Sequence, residues 1–281
     1  MHRYPFQMLN RHGDTLFGDL TLPDDNGPFP VVVFVHGIKG FKDWGFWPIL
    51  AAQFAQEGMA SVAFNLSYNG IGATDMTEFT RLDLFEQNTL SRELDDVSDV
   101  LSGIRNGQIG RGQLETNRIG LLGHSRGGGI AIVTAAEQQK NLKCLVTWNS
   151  VADFFQRFKP NMVQDWQQKG YTEIMNDRTG QKMRMGRVLY EDALAHKARL
   201  DLPRRAQELV GLPWLIAHAE DDNVVPFAHA IYLHNMAAQR PALFKASGQH
   251  GLGGSFPQVF PLPESLEKVI SRTVLFVAKH L

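Results

Sequence analysis

The chain of 281 residues holds a single cysteine, Cys144. An intramolecular disulfide is therefore excluded, and the fold is not stapled by one. Cys144 lies in the apolar run Leu142 to Val146 and reads as a buried core thiol rather than a reactive one. No stretch approaches the roughly 18 uncharged apolar residues of a membrane-spanning helix. Met1, His2 and Arg3 are not followed by an apolar run of the kind a signal peptide needs, so a cytoplasmic location is expected. Charge of one sign is also missing. The formal net charge is -1 and the isoelectric point about 6.8, which gives no basic footprint for nucleic acid. There is no phosphate-binding G-x-x-x-x-G-K-[ST] loop and no H-E-x-x-H pair, and one cysteine makes no zinc site. Gly251, Gly253 and Gly254 lie near the chain end without a following strand–helix–strand unit, so they do not read as a dinucleotide loop. Repeats and low-complexity segments are absent. The expectation is a protein with no cofactor, no metal, no nucleic-acid partner and no membrane partner.

What is present is ordinary globular composition, 43% hydrophobic and 20% charged. Chains of this length often form one α/β unit, and residues 1–281 are read as a single domain. Tyr4 to Leu9 and Thr15 to Leu22 alternate and flank a turn containing Gly13, which predicts an antiparallel hairpin. A loop rich in Asp, Gly and Pro follows, from Pro23 to Pro30. Val31 to Val35, Ala60 to Phe64, Ile119 to Leu122 and Leu142 to Thr147 are continuous apolar runs, the pattern of strands buried on both faces. Trp214 to Ala217 and Ala242 to Lys245 extend the set. Helical patterns separate them at Pro48 to Gln56, Glu86 to Ile104, Gly127 to Gln138, Phe227 to Ala238 and Pro263 to Leu281. Strand alternating with helix predicts an α/β fold with a mostly parallel central sheet and helices on both faces.

Residues 149–202 break this rhythm. The segment is rich in Phe, Met and Trp and reads as a small cap-like insertion, with a hairpin over Gly170 to Met185 turning near Asn176 to Gly180 and helices on either side. The plainer reading is a packing layer that buries its own aromatics.

Gly123-His124-Ser125-Arg126-Gly127 matches G-x-S-x-G. In that pattern a serine stands on a strained strand-to-helix turn, and small residues two before and two after it let strand and helix approach. The pattern alone is weak. Here an apolar strand runs into it and a small-residue helix leaves it, which is the context the chemistry requires. A serine hydroxyl needs a base, and the base needs an orienting carboxylate. The strand Trp214 to Ala217 ends in His218-Ala219-Glu220-Asp221-Asp222, at the sheet edge where α/β sites form. Asp222 is the favoured acid, Asp221 the runner-up, and Glu220 the least favoured; the others read as turn or cap residues. His250 follows the last strand in the flexible loop Ser247 to Gly251. Of ten histidines it is the base by position and elimination, with His218 read as a buried strand residue. An oxyanion needs two backbone donors. Arg126 N–H follows the nucleophile, and Ile38 N–H lies in the loop after the first buried strand, where Gly37 permits a close approach.

Taken together these residues resemble the α/β-hydrolase superfamily, within it the dienelactone-hydrolase-like and acyl-esterase group with its cinnamoyl and feruloyl esterase relatives. The resemblance runs through His36 to Trp44, Asn65 to Gly70, Gly123 to Gly128, Asp222 to Pro226, the His250 loop and Asn176 to Gln181, nearly the whole chain. It implies an α/β-hydrolase fold, favours Asp222 over Asp221, and supports Ile38 and Arg126 as oxyanion donors. Dienelactone hydrolases proper use a cysteine nucleophile, whereas Ser125 stands here. That favours ordinary ester hydrolysis over dienelactone opening. The expected function is cleavage of a small-molecule carboxylic ester through an acyl-enzyme, without cofactor or metal. Phe41, Trp44, Tyr68, Phe154, Phe155 and Trp166 are the candidate pocket residues. A serine peptidase or amidase with the same three residues, and a binding protein that retains the fold, are the alternatives. A homodimer is compatible with the sequence.

Overall fold

The computed structural model describes residues 1–281. The N-terminal alternation forms β1 (His2–Leu9) and β2 (Thr15–Leu22), paired antiparallel from His2 against Leu22 to Leu9 against Thr15. Asn10 closes their turn: its side-chain oxygen accepts from the N–H groups of His12 and Asp14, at 3.0 and 2.8 Å. Gly13 takes φ +84°, a conformation that costs glycine least. The chain continues through β3 (Phe29–Val35), α1 (Trp47–Gln56), β4 (Ala60–Phe64), α2 (Leu82–Glu86) and α3 (Leu90–Arg105). Next come β5 (Leu114–His124), α4 (Arg126–Gln138) and β6 (Cys144–Trp148). Then follow α5 (Pro160–Lys169), β7 (Tyr171–Met175), β8 (Lys182–Gly186), α6 (Arg187–Ala195) and α7 (Leu202–Glu208). The last elements are β9 (Trp214–Ala219), α8 (Ala228–Met236), β10 (Ala242–Ala246) and α9 (Glu264–His280).

Eight strands form one sheet in the order β1-β2-β4-β3-β5-β6-β9-β10; β2 pairs antiparallel with both β1 and β4, and every pairing from β4 onward is parallel. Successive side chains point to opposite faces of a strand, and both faces here are apolar. In β3, Val31, Val33 and Val35 join the core under α3 and α4, while Val32 and Phe34 join the core under α1 and α9. Apolar runs without alternation are what such a doubly covered sheet demands. Cys144 belongs to the second core, where burial pushes its thiol up to about 12.

Several boundaries differ from the sequence reading: β5 begins at Leu114 rather than Ile119, and β6 spans Cys144–Trp148 rather than starting at Leu142. Glu86 to Ile104 is not one helix. α2 ends at Glu86 and α3 starts afresh at Leu90, because Thr89 is extended and its hydroxyl accepts from Arg92 N–H at 3.2 Å. β3 begins at Phe29, inside the stretch read as loop.

Between β6 and β9 the chain leaves the sheet. β7 and β8 pair as a separate antiparallel hairpin, flanked by α5 and α6. Trp166 of α5 locks this unit: it stacks on Tyr190 of α6 at 5.3 Å, meets Phe158 edge-on, and donates its indole N–H to the Met185 carbonyl at 2.8 Å.

Candidate active site

Ser125 occupies the single residue between β5 and α4, at φ +58° and ψ -123°. A non-glycine side chain pays strain there, so the surroundings must hold it. The serine N–H donates to the Trp148 carbonyl at 2.9 Å, extending the ladder between β5 and β6. The glycines around it have no room for a side chain. A Cβ at Gly123 would collide with the Gly127 carbonyl, and one at Gly127 with the carbonyls of Val35 and His36. On the facing loop, a Cβ at Gly37 would stand 2.9 Å from the Ser125 Cβ. The three glycines thus let strand, helix and loop converge on one hydroxyl.

The structure brings Ser125, His250 and Asp222 into one hydrogen-bonded chain. His250 Nε2 lies 2.9 Å from Ser125 Oγ, and His250 Nδ1 lies 2.7 Å from Asp222 Oδ2. Asp222 is buried, and its other oxygen accepts from the N–H groups of Val224 and Val225, both at 2.8 Å. Burial alone would raise this carboxyl. The hydrogen bond and charge of His250, with the two backbone donors, hold it below the ordinary aspartate value. Asp221 is exposed, and exposed Glu220 pairs with Lys245 at 2.8 Å instead. His218 is fully buried behind the acid, donating Nε2–H to the Val225 carbonyl at 2.7 Å.

The N–H of Ile38 makes no hydrogen bond within the chain. Arg126 opens α4, so its N–H belongs to the first turn, which has no helical acceptor. Both residues line the same cleft as Ser125. The Arg126 guanidinium pairs with buried Glu93, tying the first turn of α4 to α3. His36, beneath this loop, accepts from Leu66 N–H on Nε2 at 3.2 Å and bonds the Gly37 carbonyl through Nδ1 at 2.9 Å. Burial pushes its imidazole down to about 4, so it stays neutral and structural.

Ser125 opens into a cleft of about 620 Å3. Trp44 and Phe154, both anticipated as pocket residues, line it. Four other anticipated residues do not. Phe41 is fully buried, edge-on to Phe256 at 4.9 Å and Phe79 at 6.3 Å. Trp166 is fully buried in its stack with Tyr190. Tyr68 lies under the Arg92 guanidinium, 4.0 Å from its ring centre, and Phe155 packs edge-on to Phe158 at 5.9 Å. Each spends its ring on packing. The wall is built instead by Phe158, Met162, Ile174, Met185 and Leu189 from the segment between β6 and β9, with Arg157 and Lys159 at its side. Methionines in that segment were the available signal, since a flexible thioether suits an irregular apolar wall. No three His, Cys, Asp or Glu side chains cluster in a way that would hold a metal ion. No helix is long and apolar enough to cross a membrane.

A family model described as alpha/beta hydrolase fold matches residues 30–180. Two Escherichia coli sequences, each called an uncharacterized 31.7 kDa protein in the traX-finO intergenic region, are 29% and 28% identical over 132 residues. Those matches cover 47% of this chain and only 41% of each relative, well under half its length. Among solved structures, a putative hydrolase from Agrobacterium vitis S4 superposes with a TM-score of 0.75 at 18% identity, covering 99% of this chain and all of the other. Est1E from Butyrivibrio proteoclasticus with ferulic acid bound superposes with a TM-score of 0.70, also at 18% identity, covering 98% of each chain. At such identities the likeness is one of fold.

Proposed function

The chain belongs to the alpha/beta hydrolase fold family, and on that footing we propose that it cleaves carboxylic esters with Ser125 as nucleophile. One observation carries this reading: the unbroken line from Asp222 through His250 to Ser125, with bonds of 2.7 and 2.9 Å. In this scheme Ser125 Oγ attacks the ester carbonyl carbon while His250 Nε2 takes the hydroxyl proton. Asp222 fixes the tautomer through Nδ1–H and stabilises the imidazolium. The N–H groups of Ile38 and Arg126 receive the negative oxygen of the tetrahedral intermediate. As that intermediate collapses, the carbon–oxygen bond to the alcohol breaks and His250 returns its proton to the leaving oxygen. Water then attacks the acyl-enzyme by the same route, releasing the acid and free Ser125.

Residues 149–202 act as a cap in this reading, because they supply the apolar wall of the cleft. Phe154, Phe158 and Met162 suit an aromatic or medium-length acyl group. The ferulic acid held by Est1E, a structural relative, is of that kind.

The test compares p-nitrophenyl esters with matched p-nitroanilides, with the Ser125→Ala protein as blank. Ester turnover that vanishes in the blank, with far slower anilide cleavage, is expected. Undiminished turnover in the blank would overturn the nucleophile. Anilides cleaved as fast as esters would make the protein an amidase.

A further inference from the structure

The reactive imidazole of His250 sits on a loop, and a loop alone does not hold a base to a fraction of an ångström. What fixes it is its own backbone carbonyl, which receives two side-chain donors. His124 Nε2 lies 3.0 Å from this oxygen, and Asn149 Nδ2 donates to it at 2.6 Å. His124 is the last residue of β5, and Asn149 follows the last residue of β6. Asn149 is itself anchored to β9. Its side-chain oxygen accepts from Ala219 N–H at 2.7 Å and its N–H donates to the Ala217 carbonyl at 3.0 Å. The ends of three parallel strands are thereby joined to the loop that carries the base.

The site is built for this purpose at some local cost. Asn149 is fully buried and held at φ +45°, a conformation that asparagine tolerates better than most residues. With the oxygen of its carboxamide engaged by Ala219 N–H, the nitrogen must face the His250 carbonyl. His124 is packed between aromatic rings, with Trp44 stacked at 6.4 Å and Phe46 edge-on at 5.3 Å. Burial pushes its imidazole down to about 3, so it is a neutral donor throughout the working range of an esterase. Two donors on one carbonyl oxygen define a direction as well as a distance. The His250 side chain starts from that anchored backbone and spans Asp222 and Ser125.

We infer that His124 and Asn149 are positioning residues for His250, acting through its carbonyl oxygen rather than on substrate. This rests on the ester-hydrolase reading above. Misplacing a reacting group by about 1 Å costs on the order of 100-fold in rate, so loss of either donor should lower kcat while leaving substrate affinity alone.

The experiment measures kcat and KM on a p-nitrophenyl ester for Asn149→Asp, His124→Ala and His124→Gln. Aspartate keeps the shape and the acceptor for Ala219 but removes the donor and sets a charge against the carbonyl. Glutamine restores a donor where alanine has none. Asn149→Asp and His124→Ala are expected to lose about 10- to 100-fold in kcat with KM changed less than about threefold, and His124→Gln to recover most of the loss. The wild-type urea midpoint serves as the folding control; if Asn149→Asp does not fold, the His124 pair decides. Values of kcat within about threefold of wild type in folded variants, or equal losses in His124→Ala and His124→Gln, would overturn the inference while leaving the ester-hydrolase reading intact. A wild-type protein without ester turnover would overturn both.

Discussion

His250 reaches Ser125 across 125 residues of chain, with its Nε2 at 2.9 Å from the hydroxyl. Nothing local brings them together. Ser125 is set by the close packing of Gly123 and Gly127 at the end of a central strand, and His250 arrives on the loop after the last strand of the sheet. The sheet is the ruler between them.

Of the three neighbouring acids at the end of β9, one meets the imidazole. Asp222 is buried and takes His250 Nδ1 at 2.7 Å, whereas Asp221 and Glu220 face solvent. Asp222→Asn is expected to lower kcat by about 1,000- to 10,000-fold, because the imidazole would no longer be held in the productive tautomer. Asp221→Asn and Glu220→Gln should stay within about threefold of wild type in ester turnover.

The elbow glycine makes a stability prediction. A methyl at Gly127 would drive into the carbonyls of Val35 and His36, which are backbone atoms of a central strand and its loop and cannot yield cheaply. Gly127→Ala should cost about 3 kcal/mol or more by urea unfolding. Gly58→Ala has open space and pays only for its φ of +74°, about 1 kcal/mol. Equal costs would mean that the close packing at the elbow is not tight.

Two residues from the segment between β6 and β9 should part company. Trp166 is fully buried and bonded to the Met185 carbonyl. Trp166→Ala should destabilise the protein by about 3–5 kcal/mol. Half-buried Met162 lines the cleft, so Met162→Ala should shift the KM ratio between long and short acyl esters with little change in unfolding midpoint. A Met162 variant with unchanged acyl preference would remove this wall from the substrate path.

His36 gives a pH dependence with a definite sign. Burial holds its folded value near 4 against an ordinary 6.5. Between those values the unfolded chain binds a proton that the folded chain refuses, so stability falls as pH drops from about 6.5 toward 4. At pH 5 this group alone should cost on the order of 2 kcal/mol relative to pH 7. His36→Asn lacks the titration, so the stability gap between wild type and variant should narrow by that amount on acidification. Parallel stability curves for the two proteins would contradict this.

Much of this architecture is legible in the sequence because it rests on patterns that short windows hold. Ala60 to Phe64 is a strand at those residues, and the hairpin around Asn176 to Gly180 turns where its turn-forming residues stand. The tight turn at Ser125 is marked by glycines that sterics require. Glu220, Asp221 and Asp222 are harder to tell apart in sequence, since one residue of offset decides whether a side chain faces the imidazole or water. Pocket aromatics were the least legible. A Trp that lines a cleft and a Trp that fills a core have the same neighbours in sequence, and Trp44 and Trp166 differ only in the tertiary packing around them. Asn149 carries no signal at all as a lone asparagine after a strand. Its part depends on Ala219 and His250, which are 70 and 101 residues away.

In the proposed mechanism Ser125 is a nucleophile raised to reactivity by His250 and, through it, Asp222. The most direct measurement is covalent labelling with a fluorophosphonate probe, followed by mass mapping of the modified peptide. One adduct per chain is expected, on Ser125, absent from Ser125→Ala and strongly slowed in His250→Ala. No adduct on the wild-type protein, or an adduct that persists in Ser125→Ala, would mean that Ser125 is not the nucleophile.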